Sequence, residues 1–344
     1  MKYLLRFKMG ILFVLLLLFT ACNGKTPVEP EISNESFAKG ADLSWVTEME
    51  SNGVKFFDQK GQSEECMKLL RDMGMNSVRL RVWVDPVNGW NNAADVLEKA
   101  MRAQQLGLRI MIDFHYSDSW ADPGKQNKPA AWMQYDFEGL KAAMRDHTES
   151  VLIRLKQNNI VPEWVQVGNE TGDGMLWEDG RASVNMAHYA VLNNTGYDAV
   201  KSVFPDAKVI VHLQNGYDKA LFKWLFDGLK SHGGKWDVIG MSLYPNSDNW
   251  KSLNNQCVAN ARELIEKYQS EIMICEVGMP WDEADTAYLF LSDLKAKLNA
   301  LNPDKCLGIF YWEPQAYGGW EGYSLGAFDR SGKPTVALNG LFGK

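Results

Sequence analysis

The chain has 344 residues, 46% of them hydrophobic and 23% charged, enough for one sizeable core but not for two large domains. Residues 1–21 carry three basic side chains and no acid; without them 33 basic side chains face 43 acidic ones, a net charge of −10. Such a balance excludes a nucleic-acid binder that works through a basic stripe, and it suits a neutral polymer better than an anionic one.

The amino-terminal segment reads as an export signal. Lys2, Arg6 and Lys8 precede an unbroken apolar run from Ile11 to Phe19, too short to span a membrane, and Thr20-Ala21-Cys22 follows. Small residues before a cysteine form the bacterial lipoprotein pattern, so Cys22 is expected to carry the lipid anchor. The protein is then held at the cell surface or the periplasmic face of the outer membrane. Residues 22–36 are polar and aperiodic, with two prolines, and read as a tether. No second linker follows, so residues 37–344 are expected to form one domain, acting as a monomer.

Within that domain short apolar runs alternate with amphipathic ones. Strands are expected at Ala38–Trp45, Ser77–Val84, Arg109–His115, Trp164–Gly168, Lys208–Leu213, Val238–Tyr244, Ile272–Val277 and Gly308–Trp312. Helices are expected at Ser63–Met73, Ala93–Leu106, Asp136–Gln157, Ser183–Phe204, Asp218–Lys230, Leu253–Tyr268 and Glu283–Leu298, with a short last one after Lys333. Eight alternations predict an α/β (β/α)8 TIM barrel as a single domain. A doubly wound open sheet shares the alternation, but the Gly-rich dinucleotide turn after the first strand is missing.

Polar residues gather where a barrel of this kind places its active site, at the carboxyl ends of the strands. The runs end in RLRVW, DFHYSDSW, VGNET, SLYP, CEVGMPW and YWEP. Glu170 closes the fourth strand and Glu276 the seventh, and strands four and seven face each other across a barrel mouth. Two such carboxylates can flank one glycosidic bond; at roughly 5–5.5 Å apart they serve a retaining mechanism. Like charges so close split their protonation, giving one acid and one nucleophile. Spacing does not say which is which.

The Asn-Glu pair at strand four and the Glu at strand seven resemble clan A of the glycoside hydrolases. Longer strings narrow the likeness: Gly40-Ala41-Asp42-Leu43-Ser44, RLRVW around Arg79 and Arg81, DFHYSDSWADPG from Asp113 to Gly124, and Tyr311-Trp312-Glu313-Pro314. They are similar to the family 53 arabinogalactan endo-β-1,4-galactanases, over essentially residues 37–344. The resemblance implies that Glu170 is acid/base and Glu276 nucleophile in endo-cleavage of β-1,4-galactan. It further implies that Asn169 bonds the sugar 2-hydroxyl and that Arg79 or Arg81 holds the nucleophile ionised. Arg81, nearer the strand end, is favoured. His115 would line the sugar subsite, Tyr244 would lie beside Glu276, and Trp312 would form the floor under the reacting sugar. Asp118, Trp120, Trp83 and Trp320 are weaker candidates for outer contacts.

Each supporting residue also has a plainer reading. His115 could be satisfied by Asp113 or Asp118, and Trp312 and Tyr244 could be packing. A mannanase or glucanase of the same clan, or a surface polysaccharide-binding lipoprotein without catalysis, are the rival functions. No cofactor is expected. The loop Val277–Asp285 is short with three acids, so no calcium is expected either. Cys66, Cys257, Cys275 and Cys306 lack metal-ligand spacing, and no disulfide pairing is assigned.

Overall fold

The computed structural model describes residues 37–343. The expected export signal of residues 1–21, the expected lipid anchor at Cys22 and the expected tether to residue 36 lie outside the described residues. Among the described residues, eight parallel strands close into a barrel: β1 (Ala38–Asp42), β2 (Ser77–Val82), β3 (Arg109–Phe114), β4 (Trp164–Val167), β5 (Lys208–Leu213), β6 (Val238–Leu243), β7 (Glu271–Val277) and β8 (Cys306–Trp312). Each pairs in parallel with its sequence neighbours, and β1 closes on β8, Gly40 opposite Phe310.

Among the described residues, seven helices return the chain to the next strand, α1 (Cys66–Asp72), α2 (Ala93–Gln105), α3 (Phe137–Gln157), α4 (Met186–Val203), α5 (Lys219–Ser231), α6 (Trp250–Tyr268) and α7 (Ala284–Leu301), and α8 (Ala337–Phe342) follows the last strand. Polar side chains set their starts. Glu65, Asn92, Asp136, Asn185 and Asp218 accept backbone N–H groups of the first turns of α1 to α5, satisfying donors that the helix leaves orphaned. The helix expected from Ser63 therefore begins only at Cys66. Ser63–Glu64 instead pairs antiparallel with Phe56–Phe57 in a two-stranded ribbon. A further short helix, Val46–Ser51, follows β1.

Alternation along the strands makes two cores. Outward residues such as Val78, Leu80, Ile112, Val165, Val167 and Val211 pack against the helices. Inward residues Ala38, Met111, Trp164, Ile210, Val238, Met273, Cys275 and Phe310 fill the lower barrel. Trp164 and Phe310 meet edge to face at 6.1 Å there. Room for Phe310 comes from Gly40, where an added Cβ would come within 2.3 Å of the phenyl ring. The four cysteines beyond Cys22 are buried free thiols.

Above this apolar plug the inward positions turn polar. Asp42, Arg79, Arg81, Asp113, Gln166, His212 and Ser242 are all buried, and on β1, β3, β4, β5 and β6 they stand in phase with the apolar inward residues Ala38, Met111, Trp164, Ile210 and Val238. They form the bed on which the mouth of the barrel rests.

Candidate active site

The mouth holds a cleft of about 290 Å³ lined by His115, Trp120, Ala121, Asp122, Asn169, Glu170, Tyr244, Glu276, Trp312, Tyr323 and Leu325. Glu170 and Glu276 both reach it, one from each side.

Glu170 arrives through a tight turn after β4. Gly168 has φ +84°, where a side chain is strained, and an added Cβ would meet the Thr171 methyl at 2.5 Å. Glu170 itself sits at φ +47°, a conformation that a non-glycine residue holds only when its surroundings impose it. Its backbone N–H donates to His212 Nδ1 at 3.4 Å.

Glu276 reaches the cleft through a register break. Met241 of β6 pairs with Ile274, but the next residue, Ser242, pairs with Glu276, so Cys275 is passed over. On the other side Ile309 pairs with Ile274 and Tyr311 with Val277. Strict alternation would turn Glu276 outward, since Cys275 already faces the inner core. The bulge lets both point inward and returns Val277 to the helix side.

The two carboxyl groups live in different surroundings. Burial, then the nearby charge of Glu276, pushes Glu170 up to about 8, so it is protonated near neutral pH. Burial raises Glu276 as well, but the Arg79 guanidinium and the Tyr244 hydroxyl oppose the rise. Arg79 Nη1 lies 2.9 Å from Glu276 Oε1, and the Tyr244 hydroxyl donates to Oε2 at 2.8 Å. The pair therefore rests with Glu276 ionised beside protonated Glu170, because only Glu276 has a cation in direct contact.

Arg79 is the hub of the polar bed. It contacts Asp42 and Asp113 at 2.8 Å each and donates to Asn169 Oδ1 at 2.9 Å and Gln166 Oε1 at 3.2 Å. Here the structure corrects the preference for Arg81. Although Arg81 is nearer the strand end, its partner is Glu313, which the chain delivers just after β8. Its guanidinium lies among the rings of Trp120, Trp45, Trp83 and Trp312 at 4.4, 5.2, 5.3 and 5.9 Å. Both arginines are wholly buried, so neither offers a group to a sugar; they act on the cleft through carboxylates and rings.

The remaining expected residues fall into two groups. Asn169 lines the cleft, its Nδ2 donating one hydrogen to Ala121 O at 2.9 Å and keeping a second free. Trp120 and Trp312 line it with partly open rings, packed edge to face at 5.8 Å. His115 lines it too, but its nitrogens are spent inside the protein: Nδ1 accepts from Trp83 Nε1 at 3.2 Å and from Ala121 N at 3.3 Å, and Nε2 donates to Asp113 at 2.9 Å. It offers the cleft its ring rather than a polar atom. Asp118 does not line the cleft. Its two oxygens accept from Asp85 N at 3.0 Å and Ala130 N at 2.8 Å, tying together the loops after β2 and β3. An oxygen pair committed to two backbone amides leaves little for a sugar. Trp83 and Trp320 also lie off the cleft lining.

Sequence reasoning missed Asp42, Gln166, His212, Ser242, Glu313 and Tyr323. For His212 and Ser242 a signal was present, since both are polar residues at inward positions of strands otherwise apolar. Among the described residues, no group of three or more His, Cys, Asp or Glu side chains is placed to hold a metal ion.

An eight-stranded barrel with two unequally supported glutamates reaching one sugar-sized cleft, lined by tryptophan, defines a glycoside hydrolase. Comparison with known proteins agrees. Residues 38–290 match the family model described as glycosyl hydrolase family 53. An uncharacterized protein of Niallia circulans is 33% identical over 89% of this chain and 91% of its own. An arabinogalactan endo-β-1,4-galactanase of Thermothelomyces thermophilus is 31% identical, over 80% and 89% respectively. A solved fungal β-1,4-galactanase superposes with a TM-score of 0.81 at 28% identity, covering 88% of this chain and 98% of that one. The chain belongs to glycosyl hydrolase family 53.

Proposed function

We propose that this protein is an endo-acting, retaining β-1,4-galactanase with Glu276 as nucleophile and Glu170 as acid/base. The observation that carries the assignment is the unequal support of the two carboxylates. Glu276 Oε1 and Oε2 are held by Arg79 and Tyr244, which favours a negative charge there, while burial and the charge of Glu276 keep the proton on Glu170. The relatives named as arabinogalactan endo-β-1,4-galactanases support galactan as substrate.

In the first step Glu276 attacks the anomeric carbon as Glu170 gives its proton to the departing glycosidic oxygen. That forms a glycosyl ester at Glu276 and leaves Glu170 ionised. In the second step Glu170 takes a proton from water, whose oxygen displaces Glu276 and restores both groups. Tyr244 keeps an oxygen of Glu276 in line throughout. The free hydrogen of Asn169 Nδ2 is available to the 2-hydroxyl of the sugar, and Trp312 and Trp120 offer ring faces to its apolar side. Export through the signal and anchoring at Cys22 complete the reading: a surface or periplasmic enzyme acting on pectic galactan.

Hydrolysis of galactan, β-mannan and β-glucan, with proton NMR of the first product, tests this. Galactan should be cut with retention of the anomer. Glu276→Ala should be inactive on every substrate, whereas Glu170→Ala should keep more activity on aryl glycosides whose leaving group needs no proton. Cleavage of mannan or glucan alone, or an inverted product, refutes the proposal. Fatty-acid labelling that survives Cys22→Ser refutes the anchor.

A further inference from the structure

The acid/base glutamate is gripped twice by one histidine. His212, on β5, is wholly buried, and burial followed by the charge of Arg79 holds its imidazole well below the usual range, so it is neutral. Its Nδ1 lies 3.4 Å from the Glu170 backbone nitrogen and 3.0 Å from Gln166 Nε2, both donors, as well as 3.0 Å from Asn169 Oδ1. Asn169 Oδ1 is already served by Arg79 Nη2 at 2.9 Å, and the two hydrogens of Gln166 Nε2 are shared among Asp113 Oδ1 at 2.5 Å, Gly168 O and Asn169 Oδ1 at 3.1 Å each, and His212 Nδ1. The strained Glu170 turn has no other acceptor shown for its N–H. Nδ1 is therefore the acceptor, and the single proton sits on Nε2.

That choice propagates. Nε2 lies 2.8 Å from Ser242 Oγ and must donate to it. The Ser242 hydroxyl, having accepted, has its own hydrogen left to give, and a Ser242 hydrogen bond is among the influences that lower the proton affinity of the Glu170 carboxyl. We propose that His212 and Ser242 are positioning residues that fix the direction of this relay, so that Ser242 always donates to Glu170 and sets the proton affinity of the acid/base. The inference rests on Glu170 having that role. A one-way donor stabilises ionised Glu170, the form required to take a proton from water in the second step. A hydroxyl free to turn would equally serve protonated Glu170 and blunt the exchange.

Other charged or titratable groups also act on Glu170: Glu276 on β7, Arg79 on β2, Asp122 in the loop after β3, and the neutral Tyr244 just after β6. Removing Ser242 leaves all of these in place, so its contribution separates from theirs. The Glu170 carboxyl can be titrated by carbon NMR of glutamate-labelled protein, its resonance assigned by loss in Glu170→Gln. In Ser242→Ala it should titrate about one pH unit higher, the loss of one hydrogen bond to a charged group. The basic limb of kcat/KM on galactan should rise with it, and Ser242→Thr, which keeps the hydroxyl, should restore both. In the unmodified protein, nitrogen NMR should find His212 neutral with its proton on Nε2 from pH 5 to pH 9. An unchanged Glu170 titration in Ser242→Ala, or a proton on His212 Nδ1, overturns the proposal. Neither titration needs a substrate, so inactivity on galactan would refute the functional reading and leave this result to stand or fall separately.

Discussion

Glu313→Gln should unfold this barrel at a markedly lower temperature than the native chain. The native carboxylate accepts from Arg81, from the backbone N–H of Trp45 at 3.1 and 3.2 Å, and from Gln315 Nε2. An amide has the same shape, but it turns one acceptor into a donor facing donors, and it removes the countercharge. Arg81 is then left with Asp42 Oδ1 at 3.8 Å as its nearest acid, wholly buried among four tryptophans. Breaking a buried pair by removing one partner costs about 3–5 kcal/mol. An unfolding entropy of about 2.1 cal/mol/K per residue over roughly 300 residues converts each kcal/mol to about 1.5 °C, so the melting temperature should fall by roughly 5–8 °C. Differential scanning calorimetry reads this directly. Adding Arg81→Met should recover part of the loss, because the orphaned charge leaves with it. A Glu313→Gln protein melting within a degree of the native one would show that the tryptophan rings alone hold Arg81.

Three further outcomes follow from the geometry. Gly40→Ala drives a methyl into the Phe310 ring and should destabilise by about 1–3 kcal/mol, with Phe310→Leu partly rescuing it in urea titration; additive losses would refute the clash. Glu170 titrates higher when folded than unfolded, so its contribution to stability is full below about pH 4.5 and is lost as pH rises through about 8. The melting temperature should therefore fall more steeply from pH 5 to pH 9 in the native chain than in Glu170→Gln, and parallel curves would contradict the raised value. Asp118→Ala frees the backbone amides of Asp85 and Ala130; it should raise KM severalfold with kcat little changed, and a collapse of kcat instead would place Asp118 in the chemistry.

The sequence alone determined the barrel and the addresses of its chemistry. Eight alternations of apolar and amphipathic runs leave few ways to bury both faces of parallel strands, and a charged residue ending such a strand is costly to bury unless it is paired or put to use. That reasoning reached Glu170 and Glu276, and the family resemblance added Asn169 and Tyr244. What only the tertiary structure decided was direction and partnership. Residues 79 and 81 face the same way along β2, so spacing could not choose between them. The choice came from which acid each arginine meets: Glu276 across the mouth for Arg79, and Glu313, delivered from the far end of the chain, for Arg81. Asp118 looked like a cleft residue until two backbone amides, distant in sequence, were seen to occupy it. Glu276 itself would face the helices under a period of two. It faces the cleft because β7 slips by one residue at Cys275 against both neighbours, and a bulge is a property of paired strands, invisible in either strand alone.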